Sequence, residues 1–471
     1  MRVIAIRLLL MLVLLATASL AAASSDPPLV AAAKNGDVAT VLSLLEEGVD
    51  VNAPQGDGAT ALHWAVHRSA LETVEALIRA GANVNAVNDL GVTPLWLACL
   101  NGDALSADRL LAAGASANVV LQSGETALMT AARTGNVDVV ALLLAHGADL
   151  DAREASEGQT ALMWAIAQRH SDVVKMLIES GADVHAQTNS RPRRVNTETS
   201  GFGREILDEV DLGGFTPLLF AARAGDLDSV RYVLDAGASA REIAPEGSTA
   251  LMIAALSGHG PVAELLLKRG ADPNVTNAGY TALHAAVVRG NLELVRALLS
   301  SGADPNARVT KGSPVRRASV DHGISGHYVG ATPIWLAARQ GEPEIMRLLA
   351  ASGAEAPTQI DDGTTLLQAA LQARPQFALG AVLDQGDQED RLLDAVTLAL
   401  DLGSDVNHAG LDGNTPLHLA AQRRLDSVVQ LFVDRGADLN AENSGGQTPL
   451  ALVRPPDAST AELLKELGAT P

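Results

Sequence analysis

The stretch DGNTPLHLAAQRRLDSVVQLFVDRGADLNA, residues 412–441, reads as two short helices followed by a loop. Thr415 suits a helix N-cap, because its oxygen can accept an orphan amide of the first turn. Pro416 suits the next position, where a missing N–H costs nothing and φ is already helical. An apolar run follows, then a turn and a second amphipathic run that stops at Gly436. Glycine fits that stop, since a helix often ends in a left-handed residue that glycine adopts without steric cost. Residues 57–86, DGATALHWAVHRSALETVEALIRAGANVNA, follow the same plan with Ala61 in the proline position.

Outward from these two stretches the terminal glycine becomes a ruler. It recurs at Gly48, Gly81, Gly114, Gly147, Gly181, Gly237, Gly270, Gly302, Gly353, Gly403, Gly436 and Gly468. Eight of the gaps lie within one residue of 33, and three exceed it by 23, 18 and 17. A fixed period of this length marks a stacked-repeat architecture, and the three long gaps mark insertions into it. Thr93-Pro94, Thr216-Pro217, Thr332-Pro333 and Thr448-Pro449 repeat the helix opening, and alanine stands for proline at Ala127, Ala161, Ala250 and Ala282. Glycines at 102, 135, 225, 258, 290 and 341 punctuate the turn between the two helices of a unit. Neither helix can bury its apolar face alone, so the units must stack.

These residues resemble the ankyrin-repeat signature almost position by position, over nearly the whole chain after the leader. The resemblance implies an all-α solenoid of about twelve stacked helix-turn-helix units with projecting finger loops. It also implies a protein-binding scaffold that uses its concave face and fingers. The expected organisation is a signal peptide at 1–23, repeats 1–5 at 24–186 and an insertion at 187–212. Repeats 6–8 follow at 213–307, then a second insertion at 308–329 and repeats 9–12 at 330–471, with an acidic insertion at 373–390. The first unit lacks its threonine-capped opening and the last is interrupted at Pro455-Pro456, as befits end caps whose outer faces meet water.

Composition agrees with thin, closely stacked helices: 47% of residues are hydrophobic but only 3% aromatic. Burial must come from alanine, leucine and valine. At the N-terminus, Arg2 and Arg7 precede an unbroken apolar run at 8–16, and Ala21-x-Ala23 offers a cleavage site before Ser24. This pattern reads as a secretory signal peptide, with an uncleaved anchor as the competing reading. Loss of the two arginines would take the formal charge from −21 to −23. So acidic a product repels nucleic acid and anionic membranes and favours basic partners. Arginine outnumbers lysine 29 to 5, which points to a bacterium; the expected destination is the periplasm, with secretion to the medium second. The protein is expected to be monomeric, without cofactors and without membrane association beyond export. An accessory or protective factor for a periplasmic enzyme system, or a secreted effector binding host proteins, are the alternative roles.

No catalytic or metal-binding constellation stands out. Cys99 replaces a small core residue, and a single cysteine forms no internal disulfide. His63, His284 and His418 share the fourth position of T-x-L-H, where sister repeats carry Met129, Met163, Met252, Leu219, Trp96 and Trp335. A slot that accepts methionine is structural; the resemblance implies that it ties neighbouring loops together. The sequon at Asn274 and the Gly201-Phe202-Gly203 triplet carry no chemistry here. Trp64 and Trp164 read as fillers of the space between repeats.

The insertions are where the chain departs from a plain stack. Those at 187–212 and 308–329 follow a finger and lengthen it, whereas 373–390 falls between the two helices of a repeat and reads as an exposed acidic loop. SRPRRV (190–195) and SPVRRA (313–318) both place proline ahead of an arginine pair. Arg191, Arg193, Arg194, Phe202 and Arg204 on the first finger are candidate partner-binding residues. Arg316, Arg317, His327 and Tyr328 are their counterparts on the second, and Tyr280 is a candidate at a loop tip. Arginine and tyrosine are frequent at binding hot spots, and arginine grips carboxylates bidentately. Three repeats separate the fingers, roughly 30 Å at 8–10 Å per helix layer. Two readings follow: a paired clamp on an acidic protein partner, or struts that brace the solenoid.

Overall fold

In a computed structural model the described residues are 26–199, 205–312, 324, 326–356, 359–373, 385–453 and 459–470. The chain divides into two compact units, Met1–Ser156 and Glu157–Pro471.

The first unit holds four helical hairpins. They pair α1 (Pro28–Asn35) with α2 (Val38–Glu46), and α3 (Ala61–His67) with α4 (Leu71–Arg79). Next come α5 (Pro94–Asn101) with α6 (Ala104–Ala112), and α7 (Ala127–Thr134) with α8 (Val137–Ala145). First helices pack on first helices and second on second, α3 on α5 and α4 on α6 for instance. Where the first helices meet, Leu62, Ala65, Val66, Leu95, Ala98, Cys99, Leu128 and Ala131 are buried; Val74, Leu77, Leu110 and Leu143 fill the second layer. Alanine at every unit lets the backbones approach, and truncating a leucine such as Leu128 would cost about 2–5 kcal/mol.

Threonine caps do what their sequence position implies. Thr93 Oγ1 accepts the Trp96 amide at 3.2 Å and Thr126 Oγ1 accepts the Met129 amide at 3.2 Å. In α1, Pro27 stands at the cap without a side-chain hydrogen bond, as the missing threonine requires. The ruler glycines are all left-handed; Gly147 has φ 77° and a Cβ there would touch nothing, so its backbone conformation alone demands glycine. Gly124 differs: it sits at a finger tip with φ 81°, and a Cβ would come within 2.5 Å of the Ala155 nitrogen in the following loop.

Asparagines four residues past the ruler glycine zip successive loops together. Asn85 Nδ2 donates to the Gly114 carbonyl at 3.0 Å and its Oδ1 accepts the Ser116 amide at 2.8 Å. Asn118 repeats this on Gly147 and Asp149. In the second unit Asn274, Asn306 and Asn407 do the same to Gly302, Gly353 and Gly436. Each satisfies a carbonyl that the end of the second helix leaves without a helical partner.

The second unit begins with α9 (Ala161–Gln168) and α10 (Ser171–Glu179), then α11 (Pro217–Ala224) and α12 (Leu227–Asp235). It continues through α13 (Ala250–Ser257), α14 (Gly260–Lys268), α15 (Ala282–Val288) and α16 (Leu292–Ser300). A 3-10 turn at Gly326–Tyr328 precedes α17 (Pro333–Gln340) and α18 (Pro343–Ala351). The unit closes with α19 (Leu366–Leu371), α20 (Gln385–Asp401), α21 (Pro416–Arg423), α22 (Asp426–Asp434), a 3-10 turn at Leu450–Leu452 and α23 (Ser459–Glu466).

Three expectations change in this unit. The first insertion is a β-hairpin, not a loop: β1 (Arg191–Thr199) pairs antiparallel with β2 (Glu205–Leu212), with a register irregularity between Asn196 and Glu198. Valine, threonine and isoleucine favour strands, and Arg194 of β1 faces Glu209 of β2 across the ladder. The acidic insertion is helical from residue 385 onward, for α20 has 17 residues where the other second helices have nine or fewer. Leu392, Ala395, Val396 and Ala399 share one buried face at helical spacing, and Asp387 in the first turn favours the positive end of the helix dipole. Thr448-Pro449 opens only a 3-10 turn, and Pro455-Pro456 lies outside the described residues.

Candidate protein-binding surface

The histidine slot is a structural device. His63 Nδ1 accepts the Thr60 amide at 3.1 Å, and its Nε2 lies 3.1 Å from the Val92 carbonyl of the next repeat. His418 makes the same bridge, from Thr415 to the Gln447 carbonyl at 2.9 Å. An Nδ1 that accepts an amide leaves Nε2 as the donor, so each ring clamps its own cap to the carbonyl of the next repeat. Sister residues fill in: Gln368 Oε1 accepts the Thr365 amide, and Trp335 Nε1 donates to the Thr364 carbonyl at 3.3 Å. At His284 the amide contact survives but Nε2 lacks a hydrogen bond of good geometry, and burial pulls its pKa down to about 4. Cys99 is buried and its thiol is pushed up to about 12, which suits a core residue and not a thiolate nucleophile. Asn274 spends both ends of its amide in the loop ladder.

Tyr280 is not at an exposed tip. Its ring is 3% exposed, burial pushes the phenol up to about 12, and the hydroxyl interacts with Ser248 of the preceding loop. An aromatic next to the threonine cap fills the space between fingers, so the candidate role for Tyr280 is withdrawn.

The insertions meet. β1 lies against the 3-10 turn Gly326–Tyr328 of the second insertion, so the two fingers are not held about 30 Å apart. A nine-residue strand spans about 30 Å, long enough to cross three repeats. The hairpin root is fastened by the Asn189 amide on the Glu157 carbonyl at 2.7 Å and the Thr188 amide on Phe215 at 3.0 Å. In that turn Tyr328 is half-buried, and its ring centroid lies 5.5 Å from that of Trp335. His327 is exposed beside it, as are Arg191 and Arg194 on β1. The first finger is not a basic arm, however. Arg194 pairs in register with Glu209 and Arg193 with Val210, while β2 carries Glu205, Asp208, Glu209 and Asp211. Phe202, Arg204, Arg316 and Arg317 lie outside the described residues, as does the side chain of Arg193.

Trp64 is half-buried on the open side of α3: its Nε1 donates to Gln55 at 3.0 Å and Lys34 Nζ sits 5.0 Å from the ring centre. Leu97 and Leu100 on α5 are likewise only partly covered. Sequence reading missed the main apolar signal. The exposed large hydrophobic residues described are Leu42, Val87, Leu90, Leu105, Val120, Ile243 and Leu411, and all but Leu42 and Leu105 stand on finger loops. Alternating polar and apolar residues at the tips would have shown this from the aligned units.

A charged cluster elsewhere involves Glu342, the residue ahead of α18. Arg391 of α20 reaches Glu342 at 2.7 Å and Glu344 at 3.1 Å. Burial, with Glu344 adding repulsion, raises the Glu342 carboxyl to about 7 against the pull of Arg391. Among the described residues no group of histidine, cysteine and acidic side chains could hold a metal, and no helix is long and apolar enough to cross a membrane.

Family comparisons agree with this geometry. Residues 29–119, 95–188, 200–277 and 218–309 match the model for ankyrin repeats in three copies, which together spans more than half of the chain. Residues 164–234 and 398–453 match models for ankyrin repeats in many copies. The crystal structure of the human ASB11 ankyrin repeat domain is 28% identical, with 52% of this chain and 99% of that one covered at a TM-score of 0.43. No curated protein matches the chain. Ankyrin repeats generally serve as protein–protein interaction modules and are typically binding scaffolds without catalytic activity. By its repeats, its caps and its ladders, the chain belongs to the ankyrin-repeat family.

Proposed function

We propose that this chain is an exported scaffold that binds another protein through its concave face and finger loops, without turnover. One observation carries the reading: exposed large apolar side chains concentrate on the fingers, with Val87, Leu90 and Val120 on successive loops of the first unit. Solvent-facing valine and leucine at loop tips contribute nothing to the core, whereas apolar anchors at the centre of a contact supply most binding energy. The half-covered Trp64, Leu97 and Leu100 extend the same surface onto the first helices. Export rests on the leader-like pattern at 1–23, and the acidic body favours a basic partner over nucleic acid or an anionic membrane.

A photo-crosslinking amino acid placed at 90, 120 or 105 in the native cell tests this. Positions 90 and 120 should capture a common protein, and position 105 on α6 should not. Equal capture from 105, or no capture from 90 and 120, would overturn the reading.

A further inference from the structure

We infer that the outer edge of β2 is a docking edge for a basic, extended polypeptide segment, which adds to the hairpin as a third strand. The inference rests on the protein-binding reading and names the kind of partner that one of its surfaces fits.

The sheet has two strands, so among the described residues β1 and β2 each keep an edge that no strand covers. β1 already lies against the 3-10 turn of the second insertion, which leaves β2 as the more open side. An uncovered strand presents a row of amides and carbonyls, and an extended chain can complete the ladder on it. The length suffices, since β2 has eight residues and a strand is ordinarily three to ten. The hairpin is also fastened at its root by the Asn189 and Thr188 contacts, and β1 rests on the turn Gly326–Tyr328. A docking edge held in this way loses little freedom when it binds.

Charge selects the occupant. β1 carries three arginines and Glu198, whereas β2 carries Glu205, Asp208, Glu209 and Asp211 and no cation. Cross-strand pairing sets Arg194 against Glu209 and Pro192 against Asp211, so the acids of β2 outnumber the bases that face them. Glu209 and Asp211 are exposed and, two residues apart, share one face of the strand. A second copy of this chain is the wrong occupant, because pairing β2 with β2 would bring two acidic rows together. A strand with lysine or arginine at alternate positions would meet these acids on one face.

The test uses the full chain and a synthetic octapeptide alternating lysine and valine, capped at both ends. Amide hydrogen exchange should show new protection confined to 205–212 and its hairpin partner, with binding at least tenfold weaker for Glu209→Lys/Asp211→Lys. An alternating glutamate–valine peptide should give no protection. Unchanged exchange at 205–212 in saturating lysine–valine peptide would overturn the proposal, as would equal affinity for the charge-reversed variant. Should that variant lose the hairpin, Glu209→Gln/Asp211→Asn keeps the strand while removing the charge, and it should bind several-fold more weakly. Unaltered capture from positions 90 and 120 in these variants would show that the finger-loop reading stands apart from this edge.

Discussion

Arg194 stands directly opposite Glu209 across the hairpin, a basic strand paired with an acidic one. That register turns two opposite charge runs into one element whose strands carry three bases and five acids. Glu209→Lys places like charges opposite each other and should loosen the pair by about 0.2–1 kcal/mol. Faster amide exchange across 191–199 and 205–212 would register the loss, and exchanging the charges by Arg194→Glu/Glu209→Arg should restore protection.

The asparagine ladder predicts a larger effect on stability. Asn118→Ala removes a donor to the Gly147 carbonyl and an acceptor for the Asp149 amide. Two hydrogen bonds at about 0.5–1.5 kcal/mol each should be lost, and urea denaturation followed by circular dichroism should show the shift. An unchanged midpoint would mean that water replaces both bonds at no cost.

Ser69 makes the opposite prediction. It has φ 53° at the turn after α3, where most other units place glycine and two place Arg169 and Arg424. A left-handed non-glycine residue costs roughly 1–2 kcal/mol, so Ser69→Gly should stabilise the first unit by about 1 kcal/mol. Gly102→Ala, at φ 67°, should destabilise it by a similar amount.

Two buried titratable groups respond to pH with opposite sign. His284 has a folded pKa of about 4 against an ordinary 6.5, so its contribution is present above pH 6.5 and lost as pH falls toward 4. The loss is about 3 kcal/mol, and His284→Met, the residue of three sister repeats, should abolish it. Glu342 has a folded pKa of about 7 against 4.5, so its contribution is complete below pH 4.5 and lost as pH rises to 7. Glu342→Gln should therefore flatten the stability profile between pH 4.5 and 7, measured by urea midpoints at fixed salt.

The repeat plan was legible because each of its parts obeys a local rule. Thr415 caps a helix, Pro416 sits where no amide is needed, and Gly436 is left-handed whatever surrounds it. The insertions were harder, since pairing partners decide them. Nothing within RPRRV announces that Glu209 will stand opposite Arg194, so three arginines read as a basic arm. The acids at 387–390 read as a loop because the buried face that makes them helical, Leu392 through Ala399, lies further along. Tyr280 was misplaced for a similar reason: a loop residue in sequence becomes a buried one when Ser248 and the neighbouring finger close over it. The apolar tips went unnoticed because each is a single residue, and only their shared position on the fingers makes a surface.

The central claim is that apolar finger tips hold a protein partner. Titration calorimetry of the partner captured from position 90, against the wild-type chain and Val87→Ser/Leu90→Ser/Val120→Ser, tests it most directly. The account predicts at least a tenfold loss of affinity with an unchanged melting temperature, because these side chains are solvent-exposed in the free chain. Equal affinity for the two proteins would contradict it.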